Sequence, residues 1–289
     1  MDKYLIVYRE MISLRGLTDK TVKSYSTYIR AYLDYLQRHL HKSPEEVSWQ
    51  ELREFVAYLK QQRNLSDRTI NHCISQLRFF TIYVLHKPWD SYQLPLRKFN
   101  SFLPYVPSRE EVWRFISTIA DIKLKAMVAL TYSAGLRIGE VSLLKYDDIK
   151  RNEMRIYISK GKGRSDRYAI LSRNMLTLLT QYWYSYQKPK GWLFTQKFNP
   201  EKPIDTQTIS RHFNEHRKAY GFNPKITCHS FRHAFGTHLY EDGVDLMTIK
   251  TLLGHKSLHS TTIYVSLSPS TIAKAKSPFD KMGGISFEE

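Results

Sequence analysis

Apolar residues in the first third of the chain recur every three or four positions, the spacing that places them on one face of an α-helix. The clearest stripe follows Thr18 and consists of Val22, Tyr25, Ile29, Tyr32, Leu33 and Leu36. Serine or threonine precedes this stripe and two later ones, and such residues cap helix N-termini with their side-chain oxygens. The pattern predicts helices that begin after Thr18, Ser48 and Ser66, with Ser48 and Glu51 in a capping box.

Prolines interrupt the helical pattern before the middle of the chain. They stand at positions 88, 95, 104 and 107 among mixed polar and aromatic residues, and prolines at this density break helices. Ser108 and Glu111 then form another capping-box pattern, which restarts the helical period. We therefore place a helical domain at residues 1–97, a linker at 98–107 and a second domain at 108–268.

The second domain combines helical patterns with one stretch of strand-like period. Helices are predicted at 109–120, 122–134, 138–145, 173–187, 205–219, 230–241, 245–253 and around 260–266. Between the third and the fourth, EMRIYIS and RYAILS predict two short strands joined by the turn KGKGRSD. The predicted fold is mainly α with a small antiparallel β-sheet in the second domain. Residues 269–289 form a polar tail without an obvious role in this core.

Net charge adds information that the apolar pattern lacks. The 289-residue chain has 44 Lys and Arg against 27 Asp and Glu, a formal charge of +17. Residues 1–98 carry 16 basic and 10 acidic side chains, and residues 99–289 carry 28 and 17, so a single basic tail does not explain the excess. A surface this positive favours binding to nucleic acid, because binding releases condensed counterions. A generally basic surface without a polyanionic partner is the other interpretation.

Composition also indicates the compartment. Hydrophobic residues make up 42% of the chain, but no apolar run approaches the roughly 20 residues that span a bilayer. The N-terminal segment MDKYLIVYREMISLR lacks the apolar core of a signal peptide. The two cysteines, Cys73 and Cys228, cannot form a disulfide scaffold and fit a reducing cytosol. We expect a cytoplasmic protein with no membrane partner.

Candidate chemistry lies in four short segments of the second domain: GLRIGE (135–140), SKGKGRSDR (159–167), HSFRH (229–233) and LLGHKSLHSTTIY (252–264). Each is weak alone, because an arginine in a helix or a glycine in a turn is usually ordinary surface. His229 and His233 have the spacing of zinc ligands, but no glutamate lies between them and Arg232 would repel the metal. KGKG lacks the spacing of a nucleotide-binding P-loop. We therefore expect neither a metal nor another cofactor.

Taken together and in this order, the segments resemble the catalytic domain of the tyrosine recombinases, the family of phage integrases, Xer recombinases and transposon integrases. That family has an arginine in a GLRxxE-like helix, a lysine in a β turn, an HxxR motif, a GH pair and a later tyrosine. The matching residues here are Arg137 with Glu140, Lys162, His229 with Arg232, Gly254 with His255, and Tyr264, nine residues after His255. GLTDKTVKSYSTYIRAYLDYL similarly resembles the start of the family's SAM-like core-binding domain, so the resemblance covers most of the chain.

The resemblance implies that Tyr264 is a nucleophile that attacks a DNA phosphate. A covalent intermediate of this kind conserves the bond energy, so that rejoining needs no ATP. Arg137 and Arg232 would neutralise the phosphate oxygens, which is the work of a metal ion in metal-dependent nucleases. Glu140 would hold Arg137 in place.

The resemblance assigns the proton transfers to three other residues. Lys162, on the β turn, would protonate the leaving 5′ oxygen as a general acid. His229 would be the acid/base partner of Tyr264, and His255 would donate a hydrogen bond to the phosphate.

The resemblance also implies a substrate and an assembly. Tyr264 would become linked to a 3′ phosphate of double-stranded DNA and leave a free 5′ hydroxyl. The two domains would clamp the duplex at inverted-repeat core sites. Four protomers would assemble on two sites, as a homotetramer or as a heterotetramer with a related recombinase, and residues 269–289 would dock on a neighbouring protomer.

Three other interpretations stay open at this point. A type IB topoisomerase shares the catalytic residues but relaxes one duplex, and the compact size and helical N-terminal domain favour the recombinase. An accessory DNA-binding protein without strand exchange could have lost any of the matching residues, whereas all of them are present. A basic RNA-binding protein has only the charge in its favour.

Overall fold

The structure, a computed structural model, describes residues 2–100, 103–159 and 166–267. The chain divides into two compact units, Met1–Ser101 and Phe102–Glu289, each with its own hydrophobic core. Both units are mainly helical, and a small antiparallel sheet lies in the second unit, which confirms the predicted fold class. Within these described ranges, no helix combines the length and the apolar character that crossing a membrane requires.

The first unit has four α-helices among its described residues. They are α1 (Asp2–Ser13), α2 (Asp19–Tyr35), α3 (Trp49–Gln61) and α4 (Asp67–Tyr83), with a π-helical turn at Leu36–Leu40 and a 3₁₀ turn at Pro44–Glu46. The three predicted caps of this unit are confirmed. The side-chain oxygens of Thr18, Ser48 and Ser66 each accept a hydrogen bond from the backbone N–H three residues later.

The proline-containing stretch that follows α4 packs against the first unit. Leu94 enters the same core as the fully buried Tyr8, whose hydroxyl donates a 2.7 Å hydrogen bond to the side-chain oxygen of Gln76. Arg97 donates its backbone N–H to the Asn71 side-chain oxygen at 2.8 Å. The stretch that contains Pro88 and Pro95 therefore stays attached to the helices of the first unit.

The second unit has eight α-helices and a three-stranded sheet in its described part. The helices are α5 (Arg109–Ser117), α6 (Ile122–Ser133), α7 (Ile138–Ser142), α8 (Arg173–Ser185), α9 (Thr206–Ala219), α10 (Cys228–Glu241), α11 (Leu246–Leu253) and α12 (His259–Leu267). The antiparallel strands are β1 (Ile149–Lys150), β2 (Arg155–Ile158) and β3 (Arg167–Ile170), in the order β1-β2-β3. β1 is too short to show an alternation of apolar residues, so the sequence predicted only β2 and β3.

Two helices of this unit end before their predicted boundaries at 120 and 145. At the end of α5, the Thr118 hydroxyl donates to the carbonyl groups of Arg114 and Phe115, a local bond that competes with further helix. After α7, the backbone N–H of Lys145 donates to the Asp148 carboxylate at 2.8 Å and opens a 3₁₀ turn. Side-chain hydrogen bonds mark both ends, and the spacing of apolar residues gives no information about such bonds.

α6 and α10 form the centre of the second unit. α6 is apolar on most faces and packs against α8, α9 and α10, while α11 and α12 pack against α10. α10 begins two residues earlier than predicted, because the Thr227 hydroxyl oxygen accepts the backbone N–H of Ser230. This earlier start places His229 in the first turn of α10.

Candidate active site

Arg137 and Glu140 are joined by the geometry of a helix start. Gly135 has a φ of +61°, in the left-handed region that favours glycine, and lies in the connection from α6 to α7. Arg137 precedes α7, and its backbone N–H donates to Glu140 Oε2 at 2.8 Å. Its Nη1 donates to Glu140 Oε1 at 2.9 Å. One carboxylate therefore holds both the backbone and the guanidinium group of Arg137.

Arg232 approaches the same carboxylate from α10. Its side chain is 2% exposed, and its Nη1 lies 3.8 Å from Glu140 Oε2. Nη1 also donates to the carbonyl of Gly135, and Nη2 donates to the carbonyl of Leu253 at 2.6 Å. Burial, followed by the charge of Arg137, lowers the pKa of Arg232 to about 9. The group is therefore still cationic at neutral pH.

Arg167 is a third arginine that contacts Glu140, and no role for it was predicted from the sequence. It is the first residue of β3, its side chain is 6% exposed, and its Nη1 and Nη2 donate to the two carboxylate oxygens at 2.9 Å each. The alternation of buried and exposed residues along β3 could have indicated its importance, because Arg167 shares a face with the buried Ala169. An arginine on a buried face needs a carboxylate partner, which Glu140 supplies.

Glu140 keeps its negative charge over a wide pH range. Burial alone would raise its pKa, but the hydrogen bond and charge of Arg167, followed by the backbone N–H and charge of Arg137, outweigh burial. They hold the pKa of Glu140 at about 2. One carboxylate thus faces three guanidinium groups, and the excess of positive charge suits an anionic phosphate diester.

Tyr264 of α12 is 1% exposed and close enough to Arg232 and Arg137 to feel their charges. Its ring rests on Gly236 of α10, where a Cβ would lie only 2.5 Å from Cζ of the tyrosine. The ring centroids of His255 and His233 are each 6.2 Å from that of Tyr264, the first stacked and the second edge-on. Burial raises the pKa of Tyr264 to about 12, although the nearby arginines act in the opposite direction. The phenol is protonated at neutral pH and needs a proton acceptor before it can attack.

The histidines of the site come from α10 and from the end of α11. The ring centroids of His229 and His233 are 4.5 Å apart. His255 follows Gly254, which ends α11 with a φ of +60°, and its Nδ1 lies 2.9 Å from the Thr261 hydroxyl oxygen. Burial, followed by neighbouring basic groups, lowers the pKa of His229 below its usual value and the pKa of His233 and His255 to about 4. All three are neutral at neutral pH, so they can accept protons.

The structure brings six of the seven predicted site residues into one cluster. They are Arg137, Glu140, His229, Arg232, His255 and Tyr264. Lys162 lies in the range 160–165, which is outside the described residues. The predicted tail at 269–289 is also outside the described residues. Throughout the described ranges, no group of three or more His, Cys, Asp or Glu side chains could hold a metal ion. The chemical role of each clustered residue stays a prediction.

Two family models match the chain. The model described as the phage integrase family matches residues 108–270, and the model described as the phage integrase N-terminal SAM-like domain matches residues 6–91. A Sinorhizobium fredii protein named integrase/recombinase y4qK is 34% identical, over 91% of this chain and 86% of the relative. Tyrosine recombinase XerA of Pyrococcus furiosus is 31% identical, over 90% of this chain and 94% of XerA.

The fold is also similar to that of a solved recombinase complex. The XerH site-specific recombinase bound to a palindromic difH substrate, in a post-cleavage complex, has a TM-score of 0.72. The match covers 92% of this chain and 82% of XerH at 20% identity, so this likeness concerns the fold alone.

Proposed function

The chain belongs to the phage integrase family of tyrosine recombinases, which cleave and rejoin DNA at specific sites, and we propose that Tyr264 is its nucleophile. One observation carries the proposal: the phenol of Tyr264 is buried in the same cluster as the guanidinium groups of Arg137 and Arg232, which lie 2.9 Å and 3.8 Å from the Glu140 carboxylate. A buried tyrosine of a structural core has no need of such cationic neighbours. A tyrosine that attacks an anionic phosphate does need them.

The proposed step forms one bond and breaks one. The proton of the Tyr264 hydroxyl passes to His229, and the phenolate oxygen attacks the scissile phosphorus. The bond from phosphorus to the 5′ oxygen breaks, and Lys162 protonates that oxygen. The products are a 3′-phosphotyrosyl linkage and a free 5′ hydroxyl, so attack by a 5′ hydroxyl in the reverse direction rejoins a strand without ATP.

Arg137 and Arg232 stabilise the extra negative charge that the phosphorane develops. Their planar forks match pairs of phosphate oxygens and stay charged throughout the working pH range. The contacts with Glu140 and with backbone carbonyl groups use some of the N–H groups of each fork and leave others for phosphate. Because these donors are fixed before DNA arrives, little reorganisation opposes the reaction.

The neutral histidines complete the proton transfers. The lowered pKa of His229, which results first from burial and then from the two arginines, keeps it ready to accept a proton. His255 donates to a phosphate oxygen through Nε2, while its Nδ1 faces Thr261.

The substrate is double-stranded DNA with inverted-repeat core sites, and both domains contact it in the manner of a clamp. Residues 1–97 bind the core site and residues 108–268 carry the chemistry, with a linker at 98–107. The net charge of +17 and the membership of the phage integrase family support this proposal. Four protomers act on two sites, alone or with a related recombinase, in the cytoplasm, and residues 269–289 dock on a neighbouring protomer.

Covalent trapping tests the proposed function. Nicked duplexes tiled from the DNA that flanks the gene are incubated with the full chain in the presence of a chelator, and denaturing gels report adducts. The wild type should form an adduct on one duplex, and Tyr264→Phe should form none. Tyr182→Phe is the matched control, because Tyr182 is an equally buried tyrosine of the same unit outside the cluster. It should react like the wild type.

Two results would contradict the proposal. An adduct that persists in Tyr264→Phe would mean that another residue is the nucleophile. Relaxation of supercoiled DNA that lacks any recombination site would indicate a topoisomerase instead of a site-specific recombinase.

A further inference from the structure

Arg167 binds two parts of the candidate site at once. Its guanidinium group forms two parallel hydrogen bonds of 2.9 Å with Glu140, and its Nε donates to the carbonyl of Leu252 at 2.9 Å. From these contacts, and on the basis of the proposed function, we infer that Arg167 is a positioning residue that aligns Arg137 and His255 on the scissile phosphate.

The first half of this role acts through Glu140. Each carboxylate oxygen of Glu140 accepts one hydrogen bond from Arg167 and one from Arg137. Oε1 accepts Nη1 of Arg167 and Nη1 of Arg137. Oε2 accepts Nη2 of Arg167 and the backbone N–H of Arg137. The rigid fork of Arg167 fixes the plane of the carboxylate, and that plane sets the direction in which Arg137 extends. Without the fork, Glu140 is free to turn toward Arg232, whose Nη1 is already 3.8 Å away.

The second half acts on the C-terminal end of α11. The last carbonyl groups of a helix have no hydrogen-bond partner within the helix. At the end of α11, two arginines donate hydrogen bonds to them. Arg167 binds the carbonyl of Leu252 and Arg232 binds that of Leu253. His255 comes two residues after Leu253, across the left-handed turn at Gly254. The two arginines therefore fix the backbone from which His255 extends.

The position of Arg167 along the chain connects these contacts with the proposed general acid. Arg167 is the first residue of β3, and Lys162 lies in the segment that joins β2 to β3. Anchoring Arg167 therefore fixes the start of β3 relative to Glu140 and the end of α11. Within the described ranges, the hydrogen bonds of the Arg167 side chain go to Glu140 and Leu252, so it acts on the reaction through other residues.

The test compares two variants with a matched control on two DNA substrates. Arg167→Gln removes the charge, and Arg167→Lys keeps the charge but cannot form two parallel bonds. Arg155→Gln on the neighbouring strand β2 is the control, because Arg155 pairs with Glu153 on the exposed side of the same hairpin. One substrate is the nicked duplex that the wild type cleaves, and the other has a methyl group in place of one nonbridging oxygen of the scissile phosphate.

The rate of adduct formation is measured at saturating protein, with DNA affinity measured separately. On the normal substrate, both Arg167 variants should lose about 100-fold in rate, since a misplacement of about 1 Å has an effect of this size. Their DNA affinity should equal that of the wild type, and Arg155→Gln should cleave at the wild-type rate. On the methylated phosphate, which is neutral and depends less on aligned arginines, the deficit should shrink to about tenfold or less.

Equal deficits on the two substrates would overturn the inference, because general damage to the fold does not depend on phosphate charge. A wild-type rate in Arg167→Gln, or a loss confined to DNA affinity, would also overturn it. Thermal unfolding identifies a variant that fails to fold, and Arg167→Lys then decides the question. A wild type without any adduct would refute the proposed function itself, whereas the outcomes above leave that function intact.

Discussion

Gly236→Ala tests how closely the ring of Tyr264 is held. A Cβ at this position of α10 would lie 2.5 Å from Cζ of Tyr264, 2.7 Å from Cε1 and 2.8 Å from Cε2. Carbon atoms in ordinary contact are about 3.5 Å apart, so the ring must move by about 1 Å. Cζ bears the reactive oxygen, and the displacement therefore falls on the nucleophile itself.

The expected effect on cleavage is large and the effect on stability is small. A nucleophile displaced by about 1 Å should lower the rate of adduct formation by about 100-fold. Overpacking costs about 1–3 kcal/mol, and alanine offsets about 1 kcal/mol of that cost because it favours a helix interior more than glycine does. The free energy of unfolding should therefore fall by no more than about 2 kcal/mol.

Adduct formation on the nicked duplex and urea unfolding measure the two effects. Gly139→Ala in α7 is the matched control, because a Cβ there meets no atom within 4 Å and the backbone is also helical. It should cleave at the wild-type rate. Wild-type cleavage by Gly236→Ala would mean that Tyr264 reacts from a position unrelated to the one described.

Three further predictions concern stability. Gly135→Ala should lower the free energy of unfolding by about 3 kcal/mol, because the new Cβ would clash with Phe235 and lie 2.7 Å from Leu253, and because alanine is strained at a left-handed φ of +61°. A loss of less than about 1 kcal/mol in urea unfolding would contradict this prediction. Ser108→Ala removes an acceptor for the Glu111 N–H and should cost about 1 kcal/mol, whereas Ser117→Ala, at the end of the same helix, should cost less. Stability should also fall as the pH drops from the ordinary histidine pKa of 6.5 toward 4, and a flat profile over this window would contradict the pKa directions of His233, His238 and His255.

The sign of that pH dependence follows from which state binds protons first. Burial above all, followed by nearby charged groups, holds the pKa of these three histidines at about 4 in the folded chain. The unfolded chain takes up protons near pH 6.5, so the stabilisation is complete above that value and is lost as the pH falls through about 4. Glu140, with its pKa at about 2, adds a further loss only below the ordinary glutamate value of 4.5.

Local features of the fold were predictable from the sequence, because their causes lie within a few residues. Thr18, Ser48, Ser66 and Ser108 each cap a helix within three positions of their partner, and apolar stripes gave the number and order of most helices. The predicted ends of α5 and α7 were wrong by three residues, because the side-chain hydrogen bonds found there do not follow from the spacing of apolar residues.

The site was predictable as a set of residues but not as an arrangement. The family resemblance supplied Arg137, Glu140 and Tyr264 together with their partners, and family membership is confirmed. Arg167 and Gly236 were missed because their importance depends on contacts between elements far apart in the chain. Arg167 meets Glu140 across 27 residues, and Gly236 meets Tyr264 through the packing of α10 on α12.

The chemical identity of the protein–DNA linkage tests most directly whether Tyr264 is the nucleophile. The adduct from the nicked duplex is digested with protease and nuclease, and mass spectrometry locates the nucleotide on the peptide. We expect a phosphodiester between Tyr264 and the 3′ end of one strand, together with a released strand that has a free 5′ hydroxyl. A nucleotide attached to any other residue, or a linkage to a 5′ phosphate, would show that Tyr264 does not form the 3′-phosphotyrosyl bond.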